Sequence, residues 1–258
     1  MQSHKTPCIL LSIVGVLLFI ACKKDNHDAT PPPVPKIPLI KTVFAMAGSD
    51  SDLRTYSYDA QSRVTKIVYS LYGTGRYAYT DTGIVYTFYN LNDSLTSTTV
   101  YKQDAHGKAI SFLESTSPSD IFTSTFNSDG QLSTSTEVRT LTGQPVRTWA
   151  TTFHYTNKNL DSSIEVYTYN GTSNASPTYY DDYYTDKIST IGNDNYGQGW
   201  LGSGSKNPVK AARDIGTSGG GVYPETTYQY EYDSVGRITK QMHFWGSSQF
   251  APIYFTYY

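Results

Sequence analysis

The chain is poor in cysteine, and the two cysteines that it has lie near its start. Cys8 and Cys22 fall within the first 22 of 258 residues, and no thiol follows them. The sequence after Cys22 therefore lacks the residue needed for a disulfide, a cysteine nucleophile or a zinc–thiolate site. We expect its stability to come from burial and hydrogen bonds alone.

Charge is also scarce. Charged residues make up 16% of the chain, against about 25% in an ordinary globular protein, and the formal net charge is -2. No stretch is rich in lysine and arginine, so the basic footprint of a nucleic-acid-binding protein is missing. We predict no nucleic-acid partner.

Catalytic patterns are missing as well. The five histidines are isolated from one another, and no zinc-protease motif or nucleophile elbow occurs. Asp181, Asp182 and Asp186 cluster among tyrosines, but their spacing matches no calcium loop, and a polar turn between strands is the simpler interpretation. We expect a protein that is not an enzyme, with no cofactor, no metal site and no catalytic residues.

The clearest pattern lies at the N-terminus, where the apolar run 9–21 follows a basic start and ends at Cys22. This is the layout of a secretory signal peptide, and the run is shorter than the about 20 residues that a membrane-spanning helix needs. The segment 18–22, Leu-Phe-Ile-Ala-Cys, resembles a bacterial lipobox, which implies cleavage before Cys22 and lipid attachment to its thiol. We predict a signal peptide over 1–21, and an uncleaved N-terminal anchor helix is the alternative.

A polar and proline-rich segment, 22–38, follows the cysteine. Four of the residues 31–35 are prolines, and proline-rich linkers are extended and semi-rigid. We interpret the segment as a tether that holds a folded domain away from the membrane bound by the lipid on Cys22. The resemblance to lipoproteins, with Lys23 rather than aspartate after the cysteine, implies the outer membrane, on its periplasmic side or at the cell surface.

The remaining residues, 39–258, show the alternation of β-strands and no helical period. Trp149, Thr151, Phe153 and Tyr155 occupy alternate positions, and residues two apart lie on the same side of a strand. The chain also holds 24 tyrosines, and aromatic and β-branched residues favour strands. We predict a single all-β domain, an antiparallel meander of about a dozen strands that curls into an open or closed barrel.

One turn pattern recurs between these strands. The segments 56–66 and 230–240 both read Tyr-x-Tyr-Asp, then three residues, then Arg, a β-branched residue, Thr and Lys, and a weaker copy begins at 101. An aspartate opens a type I turn by accepting hydrogen bonds from the backbone ahead of it, and a glycine three residues later closes the turn. We assign the turn-forming roles to Asp59, Asp104, Gly107, Asp233 and Gly236.

These turn copies carry a family resemblance. The copy at 230–240 resembles the YD repeat of Rhs-type proteins, which wind a large β-shell, and 56–66 has Ser62 where the glycine stands. With its lipobox, proline tether, Ser-Lys-Asn segment at 205–207 and tyrosine-rich end, the chain resembles a group of Bacteroidota lipoproteins of unknown function. The resemblance implies a porin-like β fold, and it supplies no known activity and no catalytic residues.

One segment, 192–221, interrupts the rhythm of the strands. It is rich in Gly, Ser and Asn, and a loop of this length in a compact domain is usually functional or disordered. Trp200 and Tyr196 within it are the candidate ligand-binding residues, because aromatic rings can stack on sugars and binding residues concentrate on loops. The alternative is that Trp200 pins the segment onto the barrel.

Together these features predict a lipid-anchored envelope protein with a non-catalytic binding or structural role. Its expected partner, besides the membrane, is a glycan or another envelope protein. Two alternatives stay open: a hydrolase of envelope or dietary polymers that uses paired carboxylates, and a scaffold subunit of an envelope assembly. The excess of tyrosine and the missing catalytic pattern favour binding.

Overall fold

A computed structural model describes residues 37–47, 50–114, 117–140, 143–215 and 223–258. The predicted signal peptide, Cys22 and the tether up to residue 36 lie outside these ranges. Within the ranges the chain is almost entirely β-strand, with one short 3-10 helix.

The seventeen strands follow one another along the chain, and the helix, η1, lies between the twelfth and thirteenth. Their bounds are β1 (Ile40–Ala47), β2 (Asp50–Tyr58), β3 (Val64–Tyr69), β4 (Gly73–Thr80), β5 (Gly83–Tyr89), β6 (Leu95–Gln103), β7 (Ala109–Glu114), β8 (Ser117–Phe126), β9 (Leu132–Arg139), β10 (Arg147–Thr156), β11 (Asn159–Tyr169), β12 (Thr172–Tyr183), η1 (Gly199–Leu201), β13 (Val209–Asp214), β14 (Thr226–Tyr232), β15 (Ile238–Trp245), β16 (Ser248–Gln249) and β17 (Ile253–Tyr257).

The sheet closes on itself. Each strand from β1 to β15 pairs antiparallel with the next, β15 also pairs with β17, and β17 pairs with β1, where Val43 lies opposite Phe255. The two-residue β16 pairs only with β15, so sixteen of the seventeen strands form the ring. The prediction of an antiparallel all-β meander that closes into a barrel is therefore confirmed, with more strands than the dozen expected.

The segment 192–221 also differs from the expectation. Its second half contains β13, which pairs with β12 and β14. No alternation marks β13 because its sequence, Val-Lys-Ala-Ala-Arg-Asp, buries the two alanines next to each other. A strand with adjacent buried residues does not show the period of two on which the prediction relied.

Successive hairpin connections fall at opposite ends of an up-and-down barrel. The turns 59–63, 104–108, 127–131 and 233–237 each follow an even-numbered strand, so they share one end, which we call the closed end. The opposite end is the far end. The start of β1 and the last residue, Tyr258, meet at the closed end, because the Tyr258 N–H donates to the carbonyl of Leu39.

The densest core lies just inside the closed end. Ile40, Val64, Ile84 and Ile238 are completely buried there, and Val64 and Ile238 directly follow the arginines of two turns. Fully burying an aliphatic side chain of this size contributes about 1.5–3 kcal/mol. Tyrosines surround these residues, so the core combines an aliphatic centre with an aromatic shell.

A chain of aromatic contacts identifies the inner face of the wall. The ring of Trp200 lies 4.6 Å from that of Tyr101, which lies 5.2 Å from Phe112, and Phe112 stacks on Phe122 at 4.1 Å. Tyr101, Phe112 and Phe122 belong to β6, β7 and β8, and their contacts in series with Trp200 place all three on the same, inner face. Glu137 lies directly opposite Phe122 on β9, so it too points into the lumen.

The outer face of the wall is polar at several strands. Arg213 pairs with Asp181 across β12 and β13, and Lys240 pairs with Glu231 at 2.7 Å across β14 and β15. These residues alternate with the inward-facing ones. Within the described ranges no helix is long and apolar enough to span a bilayer.

Candidate functional site

The turns at the closed end are built on aspartates. The Oδ1 atoms of Asp59, Asp104 and Asp233 each accept two backbone N–H groups ahead of them, at 2.8–3.1 Å. Gly107 and Gly236 have φ values of +74° and +85°, a backbone conformation that glycine adopts at least cost. The five residues assigned to turns therefore all lie in turns, and none points into the lumen as a ligand.

Two of these turns also fix an arginine over a tyrosine. Arg237 pairs with Asp233 at 2.7 Å, and its guanidinium lies 4.9 Å from the ring centre of Tyr257. The hydrogen bonds from the backbone and side chain of Arg237 lower the pKa of the Asp233 carboxyl. Arg63 makes the equivalent ion pair with Asp59, so these carboxylates are occupied in holding the turns.

The connection between β12 and β13, residues 184–208, crosses the closed end; we call it the plug loop. Its backbone bonds to strands and turns around the whole ring. Ile40 N–H donates to Asn195 O at 2.9 Å, and Val64 N–H donates to Gly197 O at 3.1 Å. On the opposite side, Ser203 N–H donates to Gly130 O at 3.0 Å. The plug loop is therefore held from several sides of the barrel.

Buried amides strengthen this attachment. Asn207 of the plug loop and Asn159 at the start of β11 exchange two hydrogen bonds, of 2.9 and 3.0 Å, and both residues are buried. The hydroxyl of Thr190 accepts the Ile238 N–H at 2.9 Å. Hydrogen bonds of this kind contribute about 0.5–1.5 kcal/mol each, and leaving one unmade in a buried site costs more.

The two candidate ligand-binding residues both lie in the plug loop. Trp200 is only 6% exposed and packs against Tyr77 and Tyr101. Tyr196 packs on Tyr56, with 5.5 Å between ring centres, and burial raises its pKa. Trp200 therefore anchors the plug loop to the barrel wall, and its buried indole is not available to stack on a ligand from solvent.

Beyond the plug loop, polar and aromatic side chains line the lumen on three strands, β9, β10 and β11. Cross-strand register arranges them in rows. The row nearest the far end contains Arg139, Arg147 and Tyr169, and the next contains Glu137, Trp149 and Tyr167. A third row holds Ser135, Thr151 and Glu165. We call this surface the lumenal strip, and its members are Ser135, Glu137, Arg139, Arg147, Trp149, Thr151, Glu165, Tyr167 and Tyr169.

The two arginines of the lumenal strip differ in their partners. Arg139 pairs with Asp120 at 2.9 Å and with Glu137 at 2.8 Å, and its guanidinium lies 5.3 Å from the Trp149 ring centre. Arg147 lies 5.2 Å from the ring centre of Tyr169. Its Nε is buried without a hydrogen-bond partner, and Arg147 has no ion pair in the ranges that the structure describes. Arg139 therefore has two carboxylate partners, and Arg147 has none among the described residues.

Solvent reaches the lumenal strip. Glu165 faces inward midway along β11 and is nevertheless exposed to solvent, and the Arg139 side chain keeps 38% of its surface accessible. Barrels of sixteen or more strands leave an aqueous space inside, whereas eight-stranded barrels fill with side chains. The strip therefore lines a water-accessible chamber whose floor is the plug loop.

Smaller cavities adjoin the plug loop. One, of about 370 Å³, lies between the loop and the wall at Tyr228, Tyr230 and Gln241. A second, of about 450 Å³, is lined by Ile37, Arg63 and Trp200, among others. Both volumes lie within the range of small-ligand sites. Plug-loop residues form most of the lining of the first cavity, whereas strands and turns of the wall form most of the lining of the second.

The tyrosines near the closed end have displaced titrations. Burial disfavours the charged phenolate. It raises the pKa of the following side chains to about 12: Tyr56, Tyr79, Tyr101, Tyr183 and Tyr257. These phenols are neutral at any physiological pH, so they act as packing groups and hydrogen-bond donors.

Two of the three aspartates of the acidic cluster lie on the outer wall, and the third, Asp186, lies in the plug loop. Asp181 pairs with Arg213, and Asp182 pairs with Lys210 at 2.6 Å. Both aspartates belong to the last residues of β12, not to a turn. No group of three or more potential metal ligands occurs among the described residues.

The lumenal strip was not identified from the sequence, although part of its signal is there. The alternation at Trp149, Thr151, Phe153 and Tyr155 marks one face of β10, and two residues earlier on the same face stands Arg147. Extending this alternation by two residues toward the start of β10 therefore assigns Arg147 to the same face. Whether Arg147 has an ion-pair partner depends on which strands lie next to β10, and this cannot be deduced from the local sequence.

Comparison with known proteins gives the fold. No protein-family profile and no curated protein matches the chain. A porin-like protein from Bacteroides uniformis matches with a TM-score of 0.57 and 14% identity, over 85% of this chain and 98% of that one. A porin-like protein from Bacteroides vulgatus matches with a TM-score of 0.59 and 13% identity, over 86% and 99%. The porin-like β fold expected from the sequence is therefore confirmed.

Proposed function

We propose that this chain is an envelope lipoprotein that binds a ligand, without catalysis, in the chamber of its barrel. One observation carries the proposal: the lumen has a fixed floor, the plug loop, and above it a wall of solvent-accessible aromatic and charged side chains. Binding sites are concave, largely preformed and lined by aromatic residues with a few polar groups. The chamber has each of these properties.

A carbohydrate is the ligand class that this wall suits best. Trp149 and Tyr167 lie side by side, with 5.0 Å between ring centres, and such rings offer broad apolar faces with polar edges. Glu137 and Glu165 on the neighbouring strands supply acceptors for hydroxyl groups. Sugar rings present the same combination of apolar faces and hydroxyl rims.

The attachment to the membrane is part of the proposal. The described chain enters β1 at the closed end, beside the plug loop. A lipid on Cys22, followed by the tether, would therefore join the barrel at its floor.

The proposal has a direct test in glycan-array binding by the full chain, compared with a Trp149→Ala variant. We expect binding to at least one class of glycan and its loss in the variant. Phe44→Ala, an aromatic truncation on the outer face of β1, is the matched control and should bind as the natural chain does. An array with no signal above background would contradict the proposal and favour the scaffold alternative, for which a stoichiometric envelope partner should co-purify.

The lipid anchor is tested separately. Metabolic labelling with a palmitate analogue should mark the chain and should be lost in Cys22→Ser but kept in Cys8→Ser. Labelling that is equal in both variants would contradict attachment at Cys22, and it would leave the chamber proposal unaffected.

A further inference from the structure

We infer that the lumenal strip takes an acidic carbohydrate chain, and that Arg147 is the residue that binds its anionic group. The inference rests on the proposed function and narrows it to one ligand class. It is carried by the position of Arg147, by the lack of an ion pair to it among the described residues and by the groups aligned with it along β10 and β11.

The first step is a like-charge contact. Arg147 on β10 lies directly opposite Arg139 on β9, and like charges in directly opposed positions destabilise a sheet. Asp120 and Glu137 compensate Arg139. Neither of these carboxylates pairs with Arg147, and across β11 its neighbour in register is Tyr169. Arg147 therefore has no ion pair among the described residues, although its charge balances the second carboxylate of the Arg139 cluster.

The second step is the geometry that this charge offers. A guanidinium binds carboxylate or sulfate through two parallel hydrogen bonds, and stacking on an aromatic ring orients its plane. Arg147 is stacked on Tyr169 at 5.2 Å, and its Nε is buried without a partner. A guanidinium that is oriented by an aromatic ring and has no ion pair among the described residues, on the wall of a solvent-accessible lumen, is suited to bind an anion.

The third step is what lies next to Arg147. Going from the far end toward the plug loop, the strip places Arg147 first, then Trp149 with Tyr167, then Glu165. Four residues separate the first and third rows, which is about 14 Å along a strand. An extended ligand can therefore put an anionic group on Arg147, a ring on Trp149 and a hydroxyl on Glu165. That sequence of groups describes a sugar chain containing an acidic unit.

Calorimetry on the full chain in detergent tests the inference, with three oligosaccharides of similar length as probes. These are an oligogalacturonate, a chondroitin sulfate oligosaccharide and a neutral galacto-oligosaccharide. We expect at least one acidic probe to bind at least about tenfold more tightly than the neutral one. This preference should weaken as ionic strength rises, because salt screens the charge of Arg147.

Variants locate the effect. Arg147→Gln should abolish the preference for the acidic probe and leave the weaker neutral binding, while Arg147→Lys should keep part of it, since lysine retains charge but lacks the planar fork. Trp149→Ala should weaken binding of both kinds. Arg213→Gln, which removes a guanidinium from the outer wall, is the matched control and should change neither.

Thermal unfolding supplies an independent readout. Without ligand, Arg147→Gln should melt no lower than the natural chain, because the substitution removes a charge that makes no ion pair within the described chain and lies directly opposite Arg139. An acidic probe should raise the melting temperature of the natural chain and not that of Arg147→Gln.

Three results would overturn the inference. Equal affinity for neutral and acidic probes, or a preference that survives Arg147→Gln, removes Arg147 as the recognition residue while the proposed chamber function stands. Binding of the neutral probe alone would likewise rule out Arg147 as the recognition residue and leave the proposed chamber function standing. If no probe binds and the glycan array is also blank, the proposed function fails together with the inference.

Discussion

At the scale of single residues, the molecule depends on a few close backbone approaches at the closed end. Gly197 of the plug loop has φ +68°, and a Cβ placed there would lie 2.7 Å from the backbone nitrogen of Val64. Gly171, in the turn between β11 and β12, has φ +76° but nothing within 4 Å of its Cβ position. The two glycines share a conformation and differ only in crowding.

This pair gives a residue-scale prediction. Gly171→Ala should cost about 1–2 kcal/mol of the free energy of unfolding, from its left-handed backbone alone. Gly197→Ala should cost the same amount plus about 1–3 kcal/mol more, because the plug loop must move away from β3. Chemical denaturation of both variants measures the difference, and equal losses would show that the plug loop does not press on Val64.

At the scale of elements, the plug loop decides the character of the barrel. It converts a closed ring of strands into a chamber with one floor, and it is held by backbone hydrogen bonds, by buried amides and by the packing of Trp200 and Tyr196 against the wall. Asn207 is the most connected of these amides, with bonds to Asn159, Lys187 and Thr185. Its loss would leave several buried groups without partners.

We therefore expect Asn207→Ala to destabilise the protein by at least the about 1–3 kcal/mol that one unsatisfied buried group costs. Hydrogen exchange should rise at the Ile40 and Val64 amides, which donate to the plug loop. Asn92→Ala, in an exposed turn between β5 and β6, is the control and should change neither quantity. Protection at Ile40 and Val64 that is unaffected by Asn207→Ala would mean that the plug loop is held by other contacts.

The strands and the plug loop differ in how well the sequence predicts them. The strands around 56–66 and 230–240 were predictable, because alternation and Asp-based turns are local signals. The sequence shows that the plug loop differs from the strands, but it does not predict the contacts of the loop. For example, the Asn195 side chain donates a hydrogen bond to the carbonyl of residue 38, which is 157 positions away. The sequence could not decide whether Trp200 is an exposed ligand-binding residue or a buried one. Its burial depends on contacts with Tyr77 and Tyr101, which are distant in the sequence.

At the scale of the whole molecule, closure joins the two ends of the described chain. Val43 pairs with Phe255, so the last step of the ring depends on residues more than two hundred positions apart. Local sequence signals do not extend over this distance, so the sequence predicted a barrel without deciding whether it is open or closed. A ring of sixteen strands is wide enough to hold water, and this width makes Arg147 and Glu165 accessible on an inner surface.

The stability of the whole barrel at alkaline pH depends on its buried tyrosines. Tyr56, Tyr101 and Tyr257 have folded-state pKa values raised to about 12 by burial, whereas the unfolded chain titrates near 10. A group with a raised folded pKa contributes stability that is complete below the unfolded pKa and is lost as pH rises through the folded value. Melting temperature should therefore hold up to about pH 10 and fall between pH 10 and 12.

Tyrosinate absorbance followed during the same titration checks the mechanism. The phenolate signal of these buried tyrosines should appear together with the loss of β-sheet circular dichroism. Full ionisation of the tyrosines near pH 10 in a chain that is still folded would contradict the burial described at the closed end.

The central claim is that the lumenal strip lines a water-filled chamber, and thiol accessibility tests it most directly. In the chain carrying Cys8→Ser and Cys22→Ser, a single cysteine is placed at Glu165, on the inner face, or at Thr152, on the outer face of the adjacent strand. We predict that both react quickly with a small charged methanethiosulfonate reagent, and that only the Thr152→Cys variant reacts quickly with a maleimide carrying a long polyethylene glycol chain. An unreactive Glu165→Cys variant would mean a packed interior, and equal reaction with the bulky reagent would mean that the strip is not inside a chamber.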